Sequence, residues 1–259
     1  MVSFPEWLPD PRQAGRAKRD ATEGCTGPGR QAPGRSAIPE RHLRCLTMPL
    51  RLPTTAEAFT EDEVLQADQR DWFHVYSTEN YLNTQPDTFS EGWGASRFAP
   101  LFQADGMPVH TYYSASTVEY AVMESVLHDV PLYPPGTFEL DRLRYFQVVQ
   151  LRIPYDLKFV SFHTLYLAKM AISRAELVDS PPEDYPRTRA WAQAAYLQQP
   201  TAQGIGYGSR RHDAARCMML FGQRLPSTPF NVLGTDSLAT GDLRRNIVSL
   251  MQRLDLNLI

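Results

Sequence analysis

Cysteine is scarce in this chain, and what there is follows no pattern. Cys25, Cys45 and Cys217 are an odd number for a disulfide framework and are not spaced as zinc ligands. A reducing cytoplasm suits them best. Long hydrophobic runs are absent as well: nothing approaches the ~20 apolar residues that cross a bilayer. The N-terminus has no basic start leading through an apolar stretch to a small-residue cleavage site. The expectation is a soluble, unsecreted, cytoplasmic protein. Charge of one sign is not in excess either, since the formal net charge is −3, so neither nucleic acid nor an anionic membrane is expected as a direct partner. The six histidines form no H-E-x-x-H or other tight ligand spacing, and no metal is expected.

What remains is a chain of 259 residues, 42% hydrophobic, which is enough for one good-sized core with appendages. Residues 1–47 hold eight Lys/Arg against five Asp/Glu, many Pro and Gly, and almost no periodic apolar pattern. Such a composition cannot bury enough surface to offset chain entropy, so a disordered tail is expected there. The folded domain is expected over 48–259. Met48 stands where ordered-looking sequence begins and is a candidate translation start; a basic interaction arm is the rival reading of the tail.

Within 48–259, Val64, Leu65 and Trp72 lie among polar residues after a Thr60–Glu63 capping box, which predicts a short amphipathic helix from Ala56 to about Phe73. Residues 74–96, broken by Pro86, Gly92 and Gly94, read as a long loop of the kind that often carries function. "TYYSA" reads as a strand, followed by a helix that starts at Ser116, with Ser116 and Glu119 as its capping box, and runs to about His128 before Pro131. "RYFQVVQLRIP" and "LKFVSF" read as strands, "LYLAKMAISRAEL" and "RTRAWAQAAYLQ" as helices, "GIGYGS" and "CMMLFGQRL" as strands, and "TGDLRRNIVSLMQRLDL" as a closing core helix. Strands and helices intermingle without regular βαβ alternation, so the fold class is α+β.

Glu124 is the residue that asks for an explanation. It sits at the border of an apolar stripe formed by Val118, Ala121, Val122 and Ser125. Read alone, it is a solvated carboxylate paired with His128 one turn on, a contact worth a few tenths of a kcal/mol. Other chemistry-bearing residues change that reading. Arg97 follows a glycine-rich loop in "GWGASRFAPL", Tyr113 lies in the strand before Glu124, and Ser209 ends the glycine run of "QGIGYGSRRH". "GIGYGS" itself is neither G-x-G-x-x-G nor a lysine-containing P-loop. Arg211 stands where a G-x-S-x-G elbow needs its last glycine, so a serine hydrolase built on Ser209 and His212 is not indicated.

In this order, "RFAPL", Tyr113 with Glu124, and "GIGYGSRR" leading into "LFGQR" resemble the RES domain family over roughly residues 70–226. The family is named for its Arg, Glu and Ser. Its members are bacterial toxins that act on NAD and are related to ADP-ribosyltransferases. The resemblance implies an ADP-ribosyltransferase-like fold with a small central pair of β-sheets surrounded by helices. By position it makes Arg97, Tyr113, Glu124 and Ser209 the site. Many members have an earlier arginine where "WFHVYS" carries His74; related transferases can use histidine at a comparable place to hold the adenosine side of NAD. The implied substrate is NAD, with inorganic phosphate as a candidate co-substrate and an Xre-like antitoxin as partner. Self-pairing into a homodimer is left open.

The chemistry agrees with that assignment. Cleaving the nicotinamide–ribose bond expels a neutral base, so no general acid is needed, and the barrier lies in positive charge growing on the ribose. A carboxylate at Glu124 would stabilise that charge. Arg97 suits the pyrophosphate. Tyr113 offers a flat face, and its hydroxyl could orient Glu124; Ser209 could donate to a ribose hydroxyl or phosphate. The alternatives are an ADP-ribosyltransferase acting on a protein and a non-catalytic module that binds NAD or a partner.

Overall fold

A computed structural model describes residues 50–60, 63–65, 71–79 and 84–259. The tail expected over 1–47 and the candidate start at Met48 lie outside them. Strands and helices alternate irregularly along the described chain, and the class is α+β. The strands are β1 (Glu63–Leu65), β2 (Trp72–Ser77), β3 (Thr111–Ala115), β4 (Thr137–Phe138), β5 (Phe146–Arg152), β6 (Leu157–Ser161), β7 (Gly204–Gly208), β8 (Arg216–Phe221), β9 (Asn231–Ser237) and β10 (Asn257–Leu258). The helices are α1 (Val118–Glu124), α2 (Thr164–Lys169), α3 (Arg174–Leu177), α4 (Tyr185–Gln198) and α5 (Gly241–Arg253).

Eight strands join in the order β1-β6-β7-β8-β3-β2-β5-β9, and β10 pairs with β4 in a separate two-stranded ribbon. Only β6–β7 in the large sheet is parallel. The sheet is nearly divided at its centre. β2 and β5 pair over six residues and β3 and β8 over five, yet β2 meets β3 at the single pair Phe73↔Ala115. Beyond that pair the two halves diverge, and the expected pair of sheets takes this form.

Alternation along the strands sorts side chains to two faces. One face, with the helices laid on it, holds the larger core, including Phe98, Val122, Leu127, Phe162, Trp191 and Met219. The other carries a smaller cluster around Trp72, Tyr112, Leu151, Phe159 and Leu220, closed by Phe230 with its ring 4.7 Å from Tyr112. Full burial of each such leucine or phenylalanine contributes about 1.5–3 kcal/mol. Gly204 in β7 is required by close packing, because a Cβ there would lie 2.5 Å from the Met219 carbonyl oxygen.

Several expectations need correction. The Ala56–Phe73 helix does not form: Glu63–Leu65 is a strand paired antiparallel with β6, and Trp72 opens β2. The Thr60 hydroxyl is buried without a hydrogen-bond partner instead of capping a helix. Helix α1 is capped one residue later than expected, by the Thr117 hydroxyl accepting from the Tyr120 N–H. Ser116 is drawn into the sheet edge, its N–H bonded to the Arg216 carbonyl. α1 also ends early, at Glu124. "LYLAKMAISRAEL" divides into α2 and α3 at Ala171, whose φ of 54° breaks the helix. The closing helix is a core helix, burying Ile247, Leu250 and Met251.

Candidate active site

The divergence of β2 from β3 opens a cleft of about 870 Å³, lined among others by His74, Arg97, Tyr113 and Glu124. Four of the five expected site residues therefore share one hollow. The fifth, Ser209, is wholly buried just behind it.

Glu124 is the last residue of α1 and half-buried on the cleft wall. Its expected partner His128 is bonded to Asp129 instead, with Nδ1 at 2.8 Å from Asp129 Oδ1. Ser209 takes that place: its hydroxyl donates to Glu124 Oε1. The same Ser209 oxygen accepts the Arg211 N–H at 2.8 Å, and the Ser209 carbonyl accepts from Arg174 Nη2. Arg211 reaches on to the carbonyls of His128 and, at 2.8 Å, Val130. The turn after α1 and the turn after β7 are thus tied together, and the carboxylate is aimed by a donor that solvent does not reach. Ser209 is not among the residues that line the cleft; its hydroxyl meets Glu124.

Arg97 is 4% exposed, and its Nε and Nη2 find no acceptor. Most buried polar groups are paired, and leaving one unpaired costs on the order of 1–3 kcal/mol, more when it is charged. The guanidinium lies 5.6 Å from the Tyr185 ring centre and 5.9 Å from that of Phe98, contacts that offset part of the cost. Arg97 also lines the cleft, so it brings a fixed positive charge to that hollow.

The Tyr113 hydroxyl is bonded to Ser96 Oγ at 2.8 Å and not to Glu124. Burial pushes its ionisation well above the usual phenol range, so it is a neutral phenol. Tyr113 is among the residues that line the cleft. His74 bridges the split: Nδ1–H donates to the Tyr113 carbonyl at 2.6 Å, standing in for the ladder bond that the diverging strands can no longer make. Its ring lies 4.2 Å from that of Tyr112, and burial pulls the imidazole down from 6.5 to about 4. His74 thus lines the cleft as a neutral imidazole. Among the described residues no group of three or more His, Cys, Asp or Glu could hold a metal ion, and no helix is long and apolar enough to cross a membrane.

A family model for the RES domain matches residues 71–232, more than half of the chain. The chain belongs to the RES domain family. The matched span contains every residue of the cleft named above. No curated protein matches the sequence. A similar solved structure is the crystal structure of the M. tuberculosis MbcT–MbcA toxin–antitoxin complex, with a TM-score of 0.49 and 12% identity over 73% of this chain and 90% of that one. A likeness so distant speaks to neither substrate nor partner.

Sequence reasoning missed four residues of this RES domain site. Ser96 precedes Arg97 and holds the Tyr113 hydroxyl; Arg174 and Arg211 brace Ser209; Tyr185, from α4, lies against Arg97. The arginine pair after Ser209 was a visible signal for Arg211. Nothing local marks Tyr185, which reaches the cleft only through the packing of α4.

Proposed function

We propose that this chain cleaves NAD at the nicotinamide–ribose bond, with water or inorganic phosphate accepting the ADP-ribose. The observation that carries the proposal is a carboxylate held by a buried hydroxyl on the wall of the cleft that also contains a buried arginine with unpaired N–H groups. Arg97, which lines the cleft, would take the pyrophosphate. The ribose would then lie near Glu124, whose negative charge favours the ring as it turns cationic more than it favours the ground state. Tyr113 would pack against nicotinamide or ribose. Ser209 keeps the carboxylate from rotating away, so less reorganisation is needed as charge develops.

Membership of the family supports a role as a toxin that depletes NAD in the cytoplasm, restrained by an Xre-like antitoxin whose helix-turn-helix would make any DNA contact. Transfer of ADP-ribose to a protein passes through a transition state with the same cationic ribose, and the product separates the two. The test is product analysis after incubation with NAD, with and without phosphate: ADP-ribose, its phosphorylated form, and a modified protein are distinct outcomes. Glu124→Gln keeps the shape and removes the charge, and NAD consumption should fall about 10²–10³-fold. Equal consumption by parent and variant would refute the mechanism. A parent that binds NAD without consuming it would favour a non-catalytic module.

A further inference from the structure

One turn past Glu124, a chain of three polar side chains ends on the same cleft. His128 Nδ1–H donates to Asp129 Oδ1 at 2.8 Å. A carboxylate only accepts, so in the neutral imidazole Nε2 carries the lone pair. That nitrogen faces the Tyr185 hydroxyl at 3.3 Å, and the phenol donates to it. All three residues line the cleft. Tyr185 is 6% exposed and lies against the Arg97 guanidinium, while the Asp129 side chain is open to solvent. The Arg211 guanidinium fixes the turn by bonding the His128 and Val130 carbonyls. The groups facing His128 are therefore Asp129 and Tyr185, with Arg211 on its carbonyl and Glu124 a turn earlier.

This arrangement supplies something that Glu124 does not. A carboxylate engaged by Ser209 and facing a growing positive charge is poorly used as a base. When water attacks the anomeric carbon, however, it must lose a proton. We propose that Tyr185, His128 and Asp129 form a proton relay that activates water as the acceptor. The inference rests on the NAD-cleaving reading above. As a water lone pair forms the O–C1′ bond, the C1′–N electron pair leaves with neutral nicotinamide. The water proton passes to the Tyr185 oxygen while the phenolic proton passes to His128 Nε2, and Asp129 holds the resulting imidazolium. Tyr185 touches the nucleophile and is the catalytic residue of the three; His128 and Asp129 act through it.

An acceptor that is already anionic needs no such base, and that difference is the test. NAD consumption by the full chain is followed in phosphate-free buffer, with and without azide, for the parent, Tyr185→Phe, His128→Gln and Asp129→Asn. Positioned acid–base groups contribute about 10²–10⁴-fold, so Tyr185→Phe should lose roughly 10²-fold in hydrolysis. In azide it should return to within about threefold of the parent and form the azido-ribosyl product. Asp129→Asn, altering an exposed side chain, should shift the partition the same way without loss of fold. Equal losses with water and azide would make Tyr185 a packing residue and overturn the relay, as would unchanged hydrolysis in all three variants. A parent that consumes NAD only when phosphate is added overturns the relay alone, and one that consumes none with water, azide or phosphate overturns the NAD reading itself.

Discussion

His74 links the split sheet to pH. Burial lowers its imidazole from 6.5 to about 4, so between those values the unfolded chain is protonated at this position while the folded chain is not. The unfolded state then binds more protons, and stability falls as pH falls from 6.5 toward 4, levelling once the folded imidazole also takes up its proton. A shift of that size gives about 2 kcal/mol of loss between pH 7 and pH 5, a substantial part of a domain's total stability. The carboxylates held low by hydrogen bonds, Glu57 and Asp71 from arginines and Glu176 from the Ser173 backbone N–H and hydroxyl, act mainly below that window. His74→Asn separates the effects, because its amide can still donate to the Tyr113 carbonyl but does not titrate. Urea unfolding at pH 7 and pH 5 should show the parent losing about 2 kcal/mol more than the variant, at equal m-value. Equal losses would mean that His74 is not the buried neutral donor described here.

Two further outcomes follow from the cleft. Ser209→Ala leaves Glu124 unaimed and the Arg211 N–H unpaired, so kcat should fall at least about 10-fold with KM for NAD little changed, at a stability cost of about 1–3 kcal/mol; parent-like kinetics would show that the bond to Glu124 has no part in turnover. Arg97→Met removes a buried cation with unpaired donors, so the variant should unfold at a higher temperature, by about 1–4 kcal/mol in stability, while losing the thermal shift that pyrophosphate gives the parent. A destabilised variant would mean that the guanidinium is satisfied in the free protein.

How far the sequence led depended on how strongly each segment favours one period. β3, β5, β6, β7 and β8 came from β-rich runs bounded by turn residues, and α4 and α5 from long stretches with few breakers. β1 did not, because its three residues gain strand geometry only from β6. β9 escaped because "NVLGTDS" is mostly exposed, so no apolar alternation marks it. The order of Arg97, Tyr113, Glu124 and Ser209 picked out residues that lie together in the fold, but it does not encode their burial. Ser209 reads as a ligand donor beside flexible glycines until β7 is seen buried throughout, and Tyr113 reads as a partner of Glu124 until Ser96 takes its hydroxyl.

The site's least stable feature is also its most informative one. A core that paired every donor would place an acceptor beside Arg97; here two of its N–H groups stay unpaired while neighbouring arginines are spent on backbone carbonyls, Arg211 on His128 and Val130, and Arg174 on Ser209. The difference is one of position. Arg174 and Arg211 fix the elements that carry Glu124, whereas Arg97 faces the hollow opened between β2 and β3. On the proposed function, an anion that drew these buried donors to itself would relieve that cost, which would tie the divergence of the strands to the charge of the ligand.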